Sequence, residues 1–324
     1  MTARHRAEMV VAVAIVAIGI ALAVGAPAFF KPGNLLEVLL ATLPVLIAAV
    51  GATVVILAGD IDISVGSVFA VCSVTAGALA VAGVPVVALL IVVPLAGAMA
   101  GAANGLLVAY GGLPSIVVTL AAMVAWRDAL RWITQGAWVQ GLPAEFQWLG
   151  LSQATYPVAA IVVAGLVTAG TAWALAWLAG GRAVYATGSN AEAARLAGLD
   201  TRAVRFWALT FAGACTGLAA LLNAVRFSQV PANTGLGLEL QVIAAVVVGG
   251  TAITGGRGTI AGTVLGVLLF GAMRPALTFL GASAFWEGAL QGAIILTAVA
   301  IDALQSKRRT GAALRARAAH VSHG

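Results

Sequence analysis

Charged side chains are scarce in this sequence, so those that interrupt an apolar run could carry chemistry. Only 9% of the 324 residues are charged, while 62% are hydrophobic. Asp60 and Asp62 stand between two long apolar runs, and an acid at the centre of a bilayer costs about 2.5–3.5 kcal/mol. The two acids must therefore be hydrated, paired or close to an interface. They could form a hydrated cap for the helix that follows, or they could line or gate a pathway.

Uncharged polar residues near these acids could bind the hydroxyl groups of a solute. Ser64 follows Asp62 directly, and Asn104 lies inside a later apolar run. Hydrogen bonding between helices is the more common use of such side chains in membranes. We keep both interpretations of Asn104 and take all four residues as candidates for a pathway or a gate.

A second polar segment contains the signals of a short surface helix. Ser189 stands three residues before Glu192, which is the spacing of a capping box. Gly198 can end the helix in the left-handed conformation at the C′ position. Asp200 or Thr201 can then cap the helix that follows. These signals predict a helix of about two turns between two longer helices.

The sequence offers no catalytic set and no metal site. It lacks the G-x-x-x-x-G-K-[ST] loop that binds the phosphates of ATP. Its histidines are terminal, and its two cysteines lie far apart in apolar runs. We therefore predict no enzymatic activity, no cofactor and no bound metal. The residues concerned are His5, His320, His323, Cys72, Cys215 and the two lysines Lys31 and Lys307.

The elements that must position these residues are apolar runs long enough to cross a membrane. A bilayer core about 30 Å thick needs roughly 20 apolar residues per helix. Ten runs approach that length, and the eighth is short for a full crossing. They cover residues 9–29, 35–58, 63–82, 85–109, 114–133, 156–179, 204–225, 238–253, 260–280 and 286–304. The fold predicted is an all-α polytopic bundle of about ten membrane spans.

Basic residues cluster at three places that ten crossings put on one side of the membrane. By the positive-inside rule this side is the cytoplasm, which therefore receives both termini. We predict one membrane domain over residues 1–324. It has a cytoplasmic start at 1–8, a bundle at 9–304 with a cytoplasmic loop at 180–203, and a basic tail at 305–324. A net charge of +6 that is placed in this way is a topology signal and predicts no nucleic-acid partner.

The motif E-A-A-x-x-x-G, from residue 192 to residue 198, is similar to the loop by which permease subunits of bacterial ABC importers dock onto their ATPase. The Ile-x-Leu-Pro ending of the fuller motif is missing, as it is in the ribose, xylose and arabinose type of permease. The resemblance implies that the ATPase is a separate cytoplasmic subunit. The coupling residues that it implies are Ser189, Glu192, Ala193, Ala194, Arg195 and Gly198.

The segment G-D-I-D-I-S-V-G-S, at residues 59–67, resembles the G-x-I-D-L-S-V-G segment of the same sugar permeases. With Asn104-Gly105 and the glycines between 249 and 262, the resemblance extends over roughly residues 35–303. It implies a multi-pass protein of the bacterial inner membrane that forms the pathway for a monosaccharide or similar small polar solute. The loop at 126–150 resembles the rhamnose or autoinducer-2 branch. The partners implied are a periplasmic or extracellular solute-binding protein and a second permease copy or a paralogue.

Two other functions stay open at this point. An ion-coupled secondary transporter would need paired charges near the midplane of several helices, and such charges are scarce here. An ABC permease for branched-chain amino acids is the other alternative, and the resemblance of residues 60–67 favours a sugar permease over it.

The remaining polar and aromatic residues near the outer side have common structural explanations. Trp138, Phe146 and Trp148 suit anchoring at the membrane interface more often than docking of a partner. We expect Arg127 and Asp128 to reach the interface or to pair locally.

Overall fold

The computed structural model describes residues 3–283, 285–294 and 296–297, with side chains from residue 8 onward. Every long element within these ranges is a helix. The α-helices are α1 (Ala3–Gly25), α2 (Pro32–Leu57), α3 (Val65–Val81), α4 (Val86–Gly105), α5 (Ser115–Thr134), α6 (Tyr156–Trp177), α7 (Ala179–Ser189), α8 (Ala191–Leu196), α9 (Thr201–Ala224), α10 (Leu238–Val248) and α11 (Ile260–Phe279). Short 3₁₀ turns form at Pro27–Phe30 and Gln147–Gly150, and a π-helical turn at Leu106–Tyr110 extends α4.

Nine of the ten predicted apolar segments contain one of these helices, and residues 286–294 and 296–297 of the tenth are helical as well. The rest of the tenth segment and the basic tail lie outside the described residues, as do the side chains of Arg4 and Arg6. Within the part of the chain that the structure describes, six helices are long and apolar enough to cross a membrane, namely α1, α2, α4 with its extension, α6, α9 and α11. The chain is therefore an all-helical, multi-pass membrane protein.

Two apolar helices are too short for a full crossing. α10 has 11 residues, which span only about 16 Å, as the weak eighth segment predicted. α3 has 17 residues, and the non-helical stretch that carries Asp60 and Asp62 precedes it. Both helices follow or precede a glycine-containing break, so the bundle contains broken spans as well as continuous ones.

The centre of the bundle is built from α2 and α9, and α9 packs along α4 through glycines. A Cβ atom on Gly97 or on Gly213 would collide with the main-chain carbonyl of the other residue. Gly101 and Gly217 continue the same seam one helical turn further along each helix. Small residues at this spacing let two helix backbones approach closely, which is the main source of attraction between helices in lipid. We call these four residues the glycine seam.

The aromatic residues of the loop between α5 and α6 correct one expectation. The side chain of Phe146 is completely buried. Trp148 packs edge-on against Tyr156 at 5.2 Å between ring centroids, and its main-chain N–H donates to the Val225 carbonyl at 2.8 Å. Phe146 therefore packs in the core, and the expectation that it anchors at the membrane interface is wrong. Trp148 is half-buried, so the expectation for it stays a prediction. Trp138 is the exposed one of the three.

Candidate coupling and gating site

The polar segment after α6 folds into two helices, α7 and α8, where the sequence predicted one. α7 ends at Ser189 and α8 begins at Ala191, so that a single residue separates them. The sequence offers no signal for α7, because the first turn of this helix contains the pair Gly180-Gly181, which is typical of a turn. Gly181 is instead required for packing, since a Cβ there would lie 2.5 Å from the Leu175 Cα.

The residue that caps α8 is Asn190, so the predicted capping box is wrong. Asn190 Oδ1 accepts a hydrogen bond from the Ala193 N–H at 2.9 Å. Ser189 is the last residue of α7, where it is exposed and lies beside Gly256. Glu192 accepts from Arg195 instead, at 2.6 Å from Nη2 and 3.1 Å from Nε. Asn is at least as good as Ser at this position, so the choice depends on where α7 ends.

The end of α8 matches the prediction for Gly198. Its φ is +87°, in the left-handed region that glycine adopts without strain. The Gly198 N–H donates to the Arg195 carbonyl and the Leu199 N–H to the Ala194 carbonyl, both at 3.0 Å. This pair of bonds is the Schellman motif. Asp200 then caps α9 by accepting from the Ala203 N–H at 3.0 Å, as expected.

The outer face of α8 is exposed and contains one apolar side chain. Leu196 is 76% exposed, and Ala193 is exposed beside it. Ala194 is buried against the rest of the chain, so only one of the two predicted contact alanines lies on the outer face. The hydrogen bonds from Arg195 hold the pKa of the Glu192 carboxyl below its usual value. Glu192 is therefore charged at neutral pH.

Asp60 forms an ion pair with Arg205 in the first turns of α9. The guanidinium donates to both carboxylate oxygens, at 2.7 Å from Nε and 2.6 Å from Nη2. The Asp60 side chain is 2% exposed and that of Arg205 is 29% exposed. The pair ties the break before α3 to the start of α9, immediately after α8.

The other three candidates form one hydrogen-bonded chain. Asp62 Oδ1 accepts from the Ser64 N–H at 2.8 Å and from the Ser64 hydroxyl at 2.6 Å. Asn104 Nδ2 donates to the same hydroxyl at 2.9 Å. Asp62 and Asn104 are buried, as is Asp60. The hypothesis of a hydrated cap is therefore wrong, because these carboxylates are enclosed by protein.

The first turns of α5 supply two partners that the sequence analysis missed. Ser115 Oγ accepts from the Ile61 N–H at 3.2 Å, and Thr119 Oγ1 accepts from the Ile63 N–H at 3.1 Å. These bonds satisfy the main chain of the stretch that carries Asp60 and Asp62, which has no helical partners of its own. Isolated hydroxyls in an apolar helix gave no signal for this role.

Comparison with known proteins decides the family. The profile of the family described as branched-chain amino acid transport system / permease component matches residues 34–299. The chain belongs to this permease family. No solved structure matches it.

The permease is also similar to curated proteins named autoinducer 2 import system permease protein LsrC. It is 37% identical to that of Yersinia pseudotuberculosis serotype O:3 (strain YPIII) and 36% identical to those of Y. pseudotuberculosis serotype IB (strain PB1/+) and Yersinia pestis (strain Pestoides F). Each match spans 261 residues, which are 79% of this chain and 73% of the relative. The chain is thus the permease component of an ABC importer of the sugar type, and it is a transport subunit.

Glycines hold the two non-helical breaks of the permease, one after α2 and one after α10, against the end of α7. The Gly256 N–H donates to the Leu57 carbonyl at 2.9 Å. A Cβ on Gly188 would lie 2.6 Å from the Gly256 nitrogen, and one on Gly255 would lie 2.8 Å from the Gly59 Cα. We call Gly59, Gly188, Gly255 and Gly256 the glycine junction. It brings main chain from the breaks after α2 and after α10 against the helix that leads into α8.

Arg127, Asp128 and Arg274 each have a partner within the chain. Arg127 is 8% exposed and donates to two main-chain carbonyls, so the expectation that it reaches the interface is wrong. Asp128 does pair locally, with exposed Arg131 at 3.3 Å. Arg274 Nε donates to Glu287 Oε2 at 2.5 Å. Among the described residues, no group of three or more His, Cys, Asp or Glu side chains could hold a metal ion.

Proposed function

We propose that this permease forms the pathway through which a separate cytoplasmic ABC ATPase drives a small polar solute across the bacterial inner membrane. The observation that carries the proposal is α8, an exposed helix that is capped at both ends and adjoins the glycine junction. A solute-binding protein delivers the solute on the opposite face. A second permease copy, or a paralogue, completes the pathway.

The ATPase docks on the segment from Glu192 to Gly198. Its groove receives the exposed face of α8, with Leu196 as the apolar contact and the Glu192–Arg195 pair at the rim. Asn190 and the Schellman turn fix both ends of α8. The helix is therefore displaced as a unit and is not unwound when the ATPase changes conformation.

We assign the gate to Asp60, Asp62, Ser64 and Asn104. Asp60 is bound to the base of α9, which follows α8 after four residues. A displacement of α8 acts on this ion pair through α9 and on the stretch at 59–64 through the glycine junction. Two short connections, one through α9 and one through the glycine junction, therefore couple the gate residues to the conformation of the ATPase.

The first prediction concerns the sidedness of the bundle. Ten crossings of one domain put α8 and both termini in the cytoplasm, because this arrangement places the basic groups inside. In a chain with Cys72 and Cys215 replaced by serine, Ala191→Cys should react with an impermeant thiol reagent only in inside-out vesicles. Trp138→Cys, on the loop between α5 and α6, should react only in intact cells. Labelling of Ala191→Cys in intact cells would overturn the topology.

The solute proposed is autoinducer 2, because the relatives at 36–37% identity are named for its import. Monosaccharides are the wider class. The family description makes branched-chain amino acids the competing class. Uptake of labelled autoinducer 2, D-ribose and leucine by proteoliposomes that contain the whole importer separates the three.

The second prediction tests the coupling role with Gly198→Val. A β-branched residue is strained at a φ of +87°, so α8 loses its Schellman end. We expect at least tenfold less autoinducer 2 uptake and less ATPase recovered with the permease, while the amount inserted in the membrane is unchanged.

The matched control is Gly180→Val, at the start of α7. A Cβ there meets no atom within 4 Å, and Gly180 does not need a positive φ. Its uptake and ATPase binding should equal those of the natural chain. If Gly198→Val behaved in the same way as this control, α8 would not be the coupling helix.

A further inference from the structure

A second polar cluster lies deeper in the bundle than the gate, and the proposed function does not use it. Arg127 projects from α5 into the protein and is 8% exposed. Its Nη1 donates to the Thr234 carbonyl at 2.9 Å, and its Nη2 approaches the Gly235 carbonyl at 3.4 Å. Two of the five N–H groups of the guanidinium are used in these contacts. The loop that precedes α10 is therefore hydrogen-bonded to the buried guanidinium of Arg127.

Glu239, in the first turn of α10, brings an acid to the same place. Its carboxylate lies against Gly66, where a Cβ would overlap it and would come within 2.6 Å of the Gly235 carbonyl. Its Oε2 is enclosed and accepts no hydrogen bond. Gly235 therefore lies beside both the Arg127 guanidinium and the place where the Glu239 carboxylate meets Gly66. A buried carboxylate oxygen without a donor is costly, so a partner is missing from this site.

The cluster lies near the middle of the apolar layer. Arg127 is 12 residues beyond Ser115, the residue of α5 that binds the stretch beside Asp60, and so lies about 18 Å along the helix. Glu239 is nine residues before Val248, which leads to the glycine junction, and so lies about 14 Å from that end. Charged residues at such a depth mark solute pathways or relays when they face a cavity or the bundle interior.

We propose that Arg127 and Glu239 bind adjacent hydroxyl groups of the solute at the midpoint of the pathway. The inference rests on the proposed function and adds a specificity site to it. A hydroxyl group both donates and accepts. Guanidinium N–H groups donate to the solute oxygens, and Glu239 Oε2 accepts from a solute hydroxyl. Glycine is needed at position 66, because any side chain there would occupy the place of the Glu239 carboxylate.

The chemistry of this pair selects polyhydroxylated solutes over aliphatic ones. A buried donor and acceptor that are left unpaired by an aliphatic side chain cost far more than a lost methyl contact. Autoinducer 2 and pentoses are therefore accepted, and leucine is rejected at this point even if a binding protein delivered it.

The test compares two substitutions with matched controls in proteoliposomes that contain the whole importer. Glu239→Gln keeps the side-chain size and removes the charge. Arg127→Gln removes the charge and shortens the side chain, but it keeps an N–H donor. Arg131→Gln is the control one turn along α5, where the side chain is 60% exposed. Glu145→Gln is the control for the acid, at an exposed side chain of the loop between α5 and α6. Uptake of autoinducer 2 and D-ribose is measured over a range of concentrations, together with ATP hydrolysis.

We expect Arg127→Gln and Glu239→Gln each to raise the half-saturating concentration at least tenfold and to lower the number of solutes moved per ATP. The two controls should change neither quantity by more than twofold. A lower maximal rate at unchanged half-saturation, in proportion to a smaller amount of assembled importer, would mean that Arg127 only holds the loop in place. Normal saturation in Glu239→Gln would also overturn the site.

Reaction with a thiol reagent tests whether position 239 faces the pathway, and this test does not depend on which solute is transported. In the chain without native cysteines, Glu239→Cys should react with a small water-soluble thiol reagent, because the position faces the pathway. Ala220→Cys, which is fully buried in α9, should not react. An unreactive Glu239→Cys would overturn the proposal. Failure of the natural importer to take up either solute, with Glu239→Cys reactive, would instead contradict the proposed solute class.

Discussion

A chain that carries Gly213→Val should fail to form a stable bundle. The added side chain would meet the Gly97 carbonyl and would lie 3.0 Å from the Gly101 Cα and nitrogen. These are main-chain atoms of another helix, so no side chain can turn aside to make room. Overpacking typically costs 1–3 kcal/mol, and here, where α4 and α9 must separate, we expect about 3 kcal/mol or more. The measurement is the free energy of unfolding in mixed micelles, titrated with dodecyl sulfate.

Gly170→Val is the control for this result. Gly170 lies in α6, and a Cβ there meets no atom within 4 Å. Its free energy of unfolding should stay within about 0.5 kcal/mol of the natural value. Equal loss in the two variants would show that valine disturbs these helices through its helix propensity, and the glycine seam would lose its assigned role.

Arg205→Gln should produce the second large effect, and a larger one than Asp60→Asn. Removing the guanidinium leaves the Asp60 carboxylate, 2% exposed, without its counter-ion. Loss of one partner of a buried pair costs about 3 kcal/mol or more. Removing the acid leaves Arg205, 29% exposed, which can turn toward water at a smaller cost of about 1–2 kcal/mol.

The same unfolding titration measures both variants and the double variant. The double variant should recover part of the loss, because neither charge is then unpaired. Uptake should fall in all three, since Asp60 is assigned to the gate. Asp128→Asn is the control, because its pair with Arg131 is exposed and contributes at most about 1 kcal/mol. A larger loss in Asp60→Asn than in Arg205→Gln would contradict the burial-based ranking.

Local signals explain why much of the helix pattern could be predicted from the sequence. The ends of α8 and α9 depend on residues within a few positions, so Gly198 and Asp200 were assigned correctly. The start of α8 was assigned wrongly, because both Ser189 and Asn190 can cap a helix. The choice between them depends on where α7 ends.

The partners of the buried charges could not be predicted, because they lie far along the chain. Asp60 and Arg205 are 145 positions apart, and Arg127 binds a loop more than 100 positions away. A single sequence shows that a charge in an apolar run needs a partner, but it does not show which distant residue is that partner. The direction of a side chain, into the bundle or toward lipid, likewise depends on tertiary packing, as Phe146 shows.

The glycine seam gives α9 a mechanical property. An interface of interlocked large side chains resists rotation, because each side chain must leave its groove before the next position is reached. The glycine seam has no interlocking side chains. We therefore expect α9 to tilt against α4 at a small cost in free energy while the two helices remain in contact. Arg205 lies near the start of α9. Near the other end of α9, the Leu222 carbonyl accepts a hydrogen bond from the Tyr156 hydroxyl at 2.5 Å. In the mechanism that we propose, a displacement of α8 by the ATPase therefore tilts α9 and moves the residues bonded to its far end.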